Sequence, residues 1–286
     1  MRTSSMLFVS SVIIGCSALR SWAVNETPKR TNAIYFTPFQ SGMGSMPVVQ
    51  RYTAAENYSF SAYNWDEDPL ATLDSLRTIA TGTYAVLVIY THGSRTQLAV
   101  ESFDVAADRD QAMADYRRDD RFRNLVNHMR AGTQRDTGVD RHTIELTKEG
   151  LKTLFGGTDS DRTILVIVAC NSWHLQDTAN NEPFGNTEFL GYNDALGRDD
   201  ASRSLSKFLW RMGGPEGIPK RSVSGAYGST TDSETGRRKM RHDGDGNTTL
   251  APACTSHVPV NDAVLPLHVA TDGRTIYETK MKAANT

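Results

Sequence analysis

Two stretches of the chain are apolar without interruption: Tyr84 to Tyr90, Tyr-Ala-Val-Leu-Val-Ile-Tyr, and Thr163 to Ala169, Thr-Ile-Leu-Val-Ile-Val-Ala. Both are short and rich in β-branched residues, the pattern of strands covered on both faces. Around them the apolar positions recur at helical spacing. Leu70, Leu73, Leu76 and Ile79 follow Asp68-Pro69, a cap with a proline at the first helical position, and run up to Thr81-Gly82. Thr147 to Phe155 reads as a short helix with Leu151, Leu154 and Phe155 on its core side, ended by Gly156-Gly157. Leu205, Phe208, Leu209 and Met212 form one face of a helix opened by Asp199-Asp200 and stopped by Gly213-Gly214-Pro215. Asp108 to Arg130 reads as a long charged helix whose Phe122, Leu125, Val126 and Met129 make the apolar side.

Weaker patterns complete the outline. Gln97 to Val105 is a more exposed strand, Arg221 to Tyr227 a weak one, and Leu265 to Ala270 with Thr275 to Lys280 a terminal hairpin around Asp272-Gly273. Residues 171–198 and 228–256 read as polar loops, and 24–65 as a polar leader with room for one strand at its apolar patch, Ala33 to Phe39. Helices alternating with buried strands predict an α/β fold of three layers with a mostly parallel central sheet, where catalytic groups sit at the C-terminal ends of the strands. The expected organisation is an export signal over residues 1–23, the leader over 24–65 and one domain over 66–286.

Composition narrows the function classes. With 286 residues, 38% hydrophobic and 22% charged, the chain is ordinary globular material. Its 31 basic and 33 acidic residues give a formal charge of −2, which lacks the basic footprint of a nucleic-acid binder. The N-terminus has Arg2, an apolar run from Met6 to Leu19 and Ser21-Trp22-Ala23, a small-x-small cleavage pattern. That predicts a secreted or periplasmic protein. Ile13-Ile14-Gly15-Cys16 resembles a bacterial lipobox, so the alternative is membrane attachment through a lipidated Cys16. Cleavage after Ala23 leaves Cys170 and Cys254, and in an oxidising compartment the plain expectation for such a pair is a disulfide.

Chemistry enters at the ends of the two apolar runs. His92-Gly93 follows the first directly and Cys170 follows the second. If the strands are parallel neighbours, imidazole and thiol face the same crevice. Acyl transfer by cysteine needs a thiolate, an imidazole that protonates the leaving amine, and backbone N–H donors for the oxyanion. Gly93 permits close backbone approach, so its N–H and that of Cys170 are the candidate oxyanion hole.

The stretches Val86 to Ser94 and Ile164 to Ser172 resemble the superfamily of caspase, legumain, clostripain, separase and bacterial CHAT-like peptidases, in which one apolar strand ends in His-Gly and a second in Ala-Cys or a near variant. The flanks are similar too: a helix precedes the His strand, and Leu146 to Phe155 resembles the helix placed before the Cys strand. The resemblance spans residues 68–230 and implies a caspase-like fold, a thiol-dependent endopeptidase with His92 as base and Cys170 as nucleophile, a peptide or protein substrate, and no cofactor. Val168-Ala169-Cys170-Asn171-Ser172 departs from the caspase Gln-Ala-Cys-x-Gly pentapeptide, so aspartate specificity does not carry over. The loops that form the pocket in this group map to residues 171–184 and 224–231, which makes Ser224, Tyr227 and Asp232 the candidate substrate contacts, with an acidic floor at Asp232 favouring Arg or Lys. Family relatives are also cut between the Cys segment and the last strands, and Arg237-Arg238-Lys239-Met240-Arg241 is the matching candidate; its plain reading is a solvated charge run.

The remaining histidines show no zinc-ligand spacing, and Asp243-Gly244-Asp245-Gly246-Asn247 lacks the terminal Glu of a twelve-residue calcium loop. The expected site therefore holds no metal. Two other readings fit the same sequence: a caspase-like domain that binds partners without catalysis, and an unrelated secreted α/β protein stapled by Cys170 and Cys254.

Overall fold

In the computed structural model, which describes residues 32–54, 58–82, 84–155, 164–176, 187–213, 221–228, 240–244 and 246–250, the two apolar runs are neighbouring strands of one sheet. The first holds β3, Val86–Tyr90, and the second holds β7, Ile164–Val168. They pair parallel from Val86 against Ile164 to Tyr90 against Val168. The sheet has six strands in the order β2-β1-β3-β7-β8-β9, where β1 is Asn32–Phe36, β2 is Ser59–Tyr63, β8 is Glu188–Tyr192 and β9 is Met240–Asp243. All pairs are parallel except β8 with β9.

Alternation along the central strands feeds two cores, because successive side chains leave a strand on opposite faces. Leu87 and Ile89 with Leu165 and Ile167 face one side, where they meet Leu73, Leu76 and Ile79 of α2, Leu73–Thr81, and Leu151, Leu154 and Phe155 of α4, Lys148–Phe155. Val86, Val88 and Tyr90 with Val166 and Val168 face the other. There they meet Val49 of α1, Met46–Ala54, and Leu205, Phe208, Leu209 and Met212 of α5, Arg198–Gly213. A continuous apolar run is the price of being covered twice. The result is the expected α/β arrangement of a mostly parallel sheet with helices on both faces.

A second sheet of three antiparallel strands, in the order β4-β6-β5, packs into the α2–α4 core through Leu98, Val100, Met129, Ile144 and Leu146. Its strands are β4, Gln97–Phe103, β5, Met129–Asp136, and β6, Val139–Thr147, with α3, Ala106–Arg118, between the first two. The β5–β6 turn places Thr137 at φ 50° and Gly138 at φ 91°, the two positive values that match hairpin twist.

Several expectations need correction. β1 lies in the apolar patch expected to offer one strand, but it and β2 are both strands of the main sheet, so the sheet extends N-terminal of the boundary expected at residue 66. The helix expected over 108–130 ends at Arg118, and the Asp119 carboxylate then accepts the Arg121 N–H and turns the chain into short 3-10 segments. Phe122, Leu125 and Met129 are buried as expected, but on that turn and on β5. Residues 223–228 form a short helix, α6, rather than a strand. The presumed loops contain β8 and β9. The expected signal segment, the terminal hairpin, Cys16, Asp232 and Cys254 lie outside the described residues. Among the described residues no helix is long and apolar enough to cross a membrane.

Two local devices make testable contributions. Thr72, not Asp68, caps α2: its hydroxyl accepts the Ser75 N–H at 3.1 Å while the Ser75 hydroxyl accepts the Thr72 N–H at 2.9 Å. Thr72→Ala is expected to cost about 1 kcal/mol in urea unfolding. Glu101 is buried in β4, where its carboxylate accepts the Leu73 N–H at 3.0 Å and the Tyr116 hydroxyl at 2.8 Å. Burial pushes its pKa up from the ordinary 4.5, and the two donors offset only part of that. The protonated form is thus favoured in the folded state, and the stability it contributes is full below the unfolded pKa and lost as pH rises through the raised value. Glu101→Gln keeps the acceptor oxygen without the charge, so its melting temperature relative to wild type should rise as the pH increases above the ordinary 4.5; a pH-independent difference would contradict this.

Candidate functional site

The chain runs from β1 to β2 on one side and then to β3 on the other, so the sheet order reverses around β1. The crevice beyond the C-terminal ends of β1 and β3 is where open α/β sheets place their chemistry. Tyr90 pairs with Val168, and the Thr91 N–H continues the ladder to the Val168 carbonyl at 3.0 Å. His92 and Cys170 each stand two residues past that pair, on strands about 4.8 Å apart. The structure therefore delivers them to the same end of adjacent strands, at matching register.

Gly93 lies between them. The His92 carbonyl accepts the Ala99 N–H at 3.0 Å and the Ser94 N–H donates to the Gln97 carbonyl at 2.9 Å, a clamp that makes Gly93 and Leu98 a non-hydrogen-bonded antiparallel pair. In such a pair the residue's own N–H points away from the partner strand. Neither the Gly93 N–H nor the Cys170 N–H has a hydrogen-bond partner among the described residues. A Cβ on Gly93 would lie 3.1 Å from the Ala169 Cβ, 3.2 Å from Leu98 Cδ1 and 3.3 Å from the Cys170 carbonyl oxygen, so this close approach favours glycine.

Immediately after Cys170 the backbone turns sharply. Asn171 adopts φ 56°, ψ 17°, the left-handed region that Asn tolerates better than most residues. The turn is fixed by Asn171 N–H to the Asp194 carbonyl at 3.1 Å and by the Ser172 hydroxyl, which donates to the Ile167 carbonyl at 2.8 Å and accepts the Tyr192 N–H at 2.9 Å. Cys170 is a half-buried free thiol. Its sulfur accepts the Leu196 N–H at 3.2 Å, just ahead of α5, and its S–H reaches the Leu196 carbonyl at 3.7 Å.

The imidazole of His92 is held by groups that sequence reasoning did not anticipate. Phe39, in the loop after β1, meets the ring edge-on at a centroid distance of 4.6 Å. On another side His92 Nε2 lies 3.7 Å from Asp136 Oδ1 at the end of β5, with the His side chain 30% exposed and the Asp side chain 1%. That separation is longer than a formed hydrogen bond, and it is an ion pair only when the imidazole is protonated. Asp136 Oδ2 accepts the Ser41 N–H at 3.2 Å. Burial opposes the charge on Asp136, but the His92 ring and Ser41 outweigh it and hold the carboxyl below the ordinary 3.8. The only sequence signal for this residue is the Thr137-Gly138 turn behind it, which marks a hairpin and not a site.

The expected substrate contacts stand elsewhere. The Ser224 N–H donates to the Gly246 carbonyl at 3.0 Å, and the Tyr227 ring lies 5.8 Å from the His242 ring. His242 in turn meets Glu188 at the start of β8, whereas the Cys170 turn meets Asp194, beyond the other end of that strand. The structure thus sets His92, Gly93 and Cys170 at one end of β3 and β7, while Ser224 and Tyr227 contact Gly246 and His242. Within the segment considered as a calcium loop, the Asp243 carboxylate accepts the Gln176 amide and the Gly246 N–H donates to Glu188 at 2.9 Å. Among the described residues no group of three or more His, Cys, Asp or Glu side chains is arranged to hold a metal ion.

No protein-family model, curated protein or solved structure matches the chain.

Proposed function

We propose that the chain is an exported cysteine endopeptidase with a caspase-like fold, in which Cys170 is the nucleophile and His92 the general acid and base. The observation that carries this reading is the in-register parallel pairing of β3 with β7, which brings His92 and Cys170 out of adjacent strands at the same level. The N–H groups of Gly93 and Cys170, without partners among the described residues, support it.

The reaction follows from these groups. The Cys170 thiolate attacks the scissile carbonyl carbon, and the carbonyl oxygen takes up the negative charge against the Gly93 and Cys170 N–H groups. The tetrahedral adduct collapses by breaking the C–N bond as His92 protonates the departing amine, leaving an acyl thioester on Cys170. Water, deprotonated by His92, then attacks the thioester, releasing the acid and restoring the thiolate. No cofactor enters this sequence.

The test is a digest of a diverse peptide library, read as new termini by mass spectrometry. Wild type should generate cleavages that Cys170→Ala does not. Identical patterns from the two proteins would remove the endopeptidase reading.

A further inference from the structure

We propose that Asp136 is the positioning residue for His92, fixing the imidazole with Nε2 toward the carboxylate and Nδ1 toward Cys170. The inference rests on the peptidase reading for its catalytic consequence, but its geometric content stands on Asp136 itself. The carboxylate is 2% exposed as a residue and is carried at the tip of the β5–β6 hairpin, at a distance in sequence from either apolar run. Two independent anchors hold the tip against the loop after β1: Ser41 N–H to Asp136 Oδ2 at 3.2 Å, and the Thr137 hydroxyl to Gln40 Oε1 at 3.1 Å.

One oxygen of Asp136 is thus committed to Ser41. The other, Oδ1, is buried, has no hydrogen-bond partner among the described residues and faces His92 Nε2, which is itself buried and without one there. Two unpartnered buried polar atoms aimed at each other across 3.7 Å are a donor and acceptor that a small ring movement joins, since an unmade bond at a buried site is costly to both. The edge-on contact of Phe39 restrains the ring on another side. With Nε2–H assigned to Asp136, the neutral imidazole keeps its lone pair on Nδ1. That nitrogen accepts the Cys170 proton and later passes it to the leaving amine, while Asp136 stays ionised and stabilises the imidazolium.

The alternative is that Asp136 only pins the 37–45 loop through Ser41. The two roles separate by spectroscopy and by kinetics on the full chain. In a long-range proton–nitrogen spectrum of histidine-labelled protein above neutral pH, His92 should carry its proton on Nε2 in wild type; Asp136→Asn and Asp136→Ala should lose or invert that preference. In hydrolysis, kcat should fall about 100-fold or more in Asp136→Asn with KM nearly unchanged, as expected when a histidine is held in the wrong tautomer. A loop anchor alone would lower the melting temperature and leave the tautomer as it was. Protonation of wild-type His92 on Nδ1, or an unchanged tautomer in both variants, overturns the proposal. The tautomer reading needs no turnover, so a wild type that hydrolyses nothing would refute the peptidase reading while the spectrum still decides the role of Asp136.

Discussion

Cys170→Ala is expected to reduce peptide hydrolysis by at least about 1,000-fold, and His92→Ala to do nearly the same, because the two groups act as one unit and their effects do not add. The double variant should therefore be no worse than either single one. Folding should survive both changes. Cys170 is only half-buried, and among the described residues its sulfur hydrogen-bonds only with the backbone N–H and carbonyl of Leu196. The His92 ring gives up its edge contact with Phe39 and its approach to the buried Asp136 carboxylate, so His92→Ala should lose some stability, but the backbone clamp that fixes Gly93 runs through the His92 carbonyl and is indifferent to the side chain. A urea midpoint matched to wild type in Cys170→Ala beside lost turnover would place the loss in chemistry. A Cys170→Ala protein that hydrolyses at the wild-type rate would show that the thiol is not the nucleophile.

The largest expected loss of stability lies away from the site, at Glu188. This carboxylate is 2% exposed at the start of β8. It accepts from His242 Nε2 at 2.7 Å, from the Gly246 N–H at 2.9 Å and from the Thr248 hydroxyl at 3.1 Å. These bonds tie β9 and the segment after it to the rest of the sheet, and all their donors are orphaned together when the acceptor goes. Breaking a buried pair by removing one partner costs about 3–5 kcal/mol, so Glu188→Ala should shift the urea midpoint by that equivalent. Glu188→Gln should cost less, since it keeps an acceptor oxygen. A shift below about 1 kcal/mol for Glu188→Ala, the worth of one ordinary hydrogen bond, would mean that the cluster is not a structural anchor.

The parts of the fold that were legible in the sequence are those with a strong local pattern. β3 and β7 stand out because strands covered on both faces cannot alternate, and α2, α4 and α5 because each shows a single apolar face. What escaped the sequence was short or governed by distant contacts. β1 shows in the sequence only as an apolar patch, with Ala33, Tyr35 and Phe36 buried, and its central place between β2 and β3 is not written in its five residues. β8 reads Glu-Phe-Leu-Gly-Tyr, with a charged residue first, and the charge is accommodated by His242, 54 positions away. α6 contains two glycines and a β-branched first residue, a composition that favours neither helix nor strand.

The site divides in the same way. His92, Gly93 and Cys170 were legible because each follows directly on a recognisable strand. Asp136, Phe39 and Ser41 were not, because the loop after β1 and the tip of a hairpin meet His92 only in three dimensions. The Leu196 N–H on the Cys170 sulfur is of the same kind: a backbone group has no signature in sequence. Ser224 and Tyr227 were placed by analogy with pocket loops, and their contacts with Gly246 and His242 assign them a different neighbourhood.

The central claim is that His92 activates Cys170 as a nucleophile toward peptide carbonyls. It is tested most directly by treating the full chain with a peptidyl epoxide probe, mapping the adduct by mass spectrometry and comparing rates between wild type and His92→Ala. A covalent adduct is expected on Cys170 in wild type, formed at a rate that falls steeply in His92→Ala. An adduct formed equally fast in both proteins, or no adduct on Cys170 at all, would contradict it.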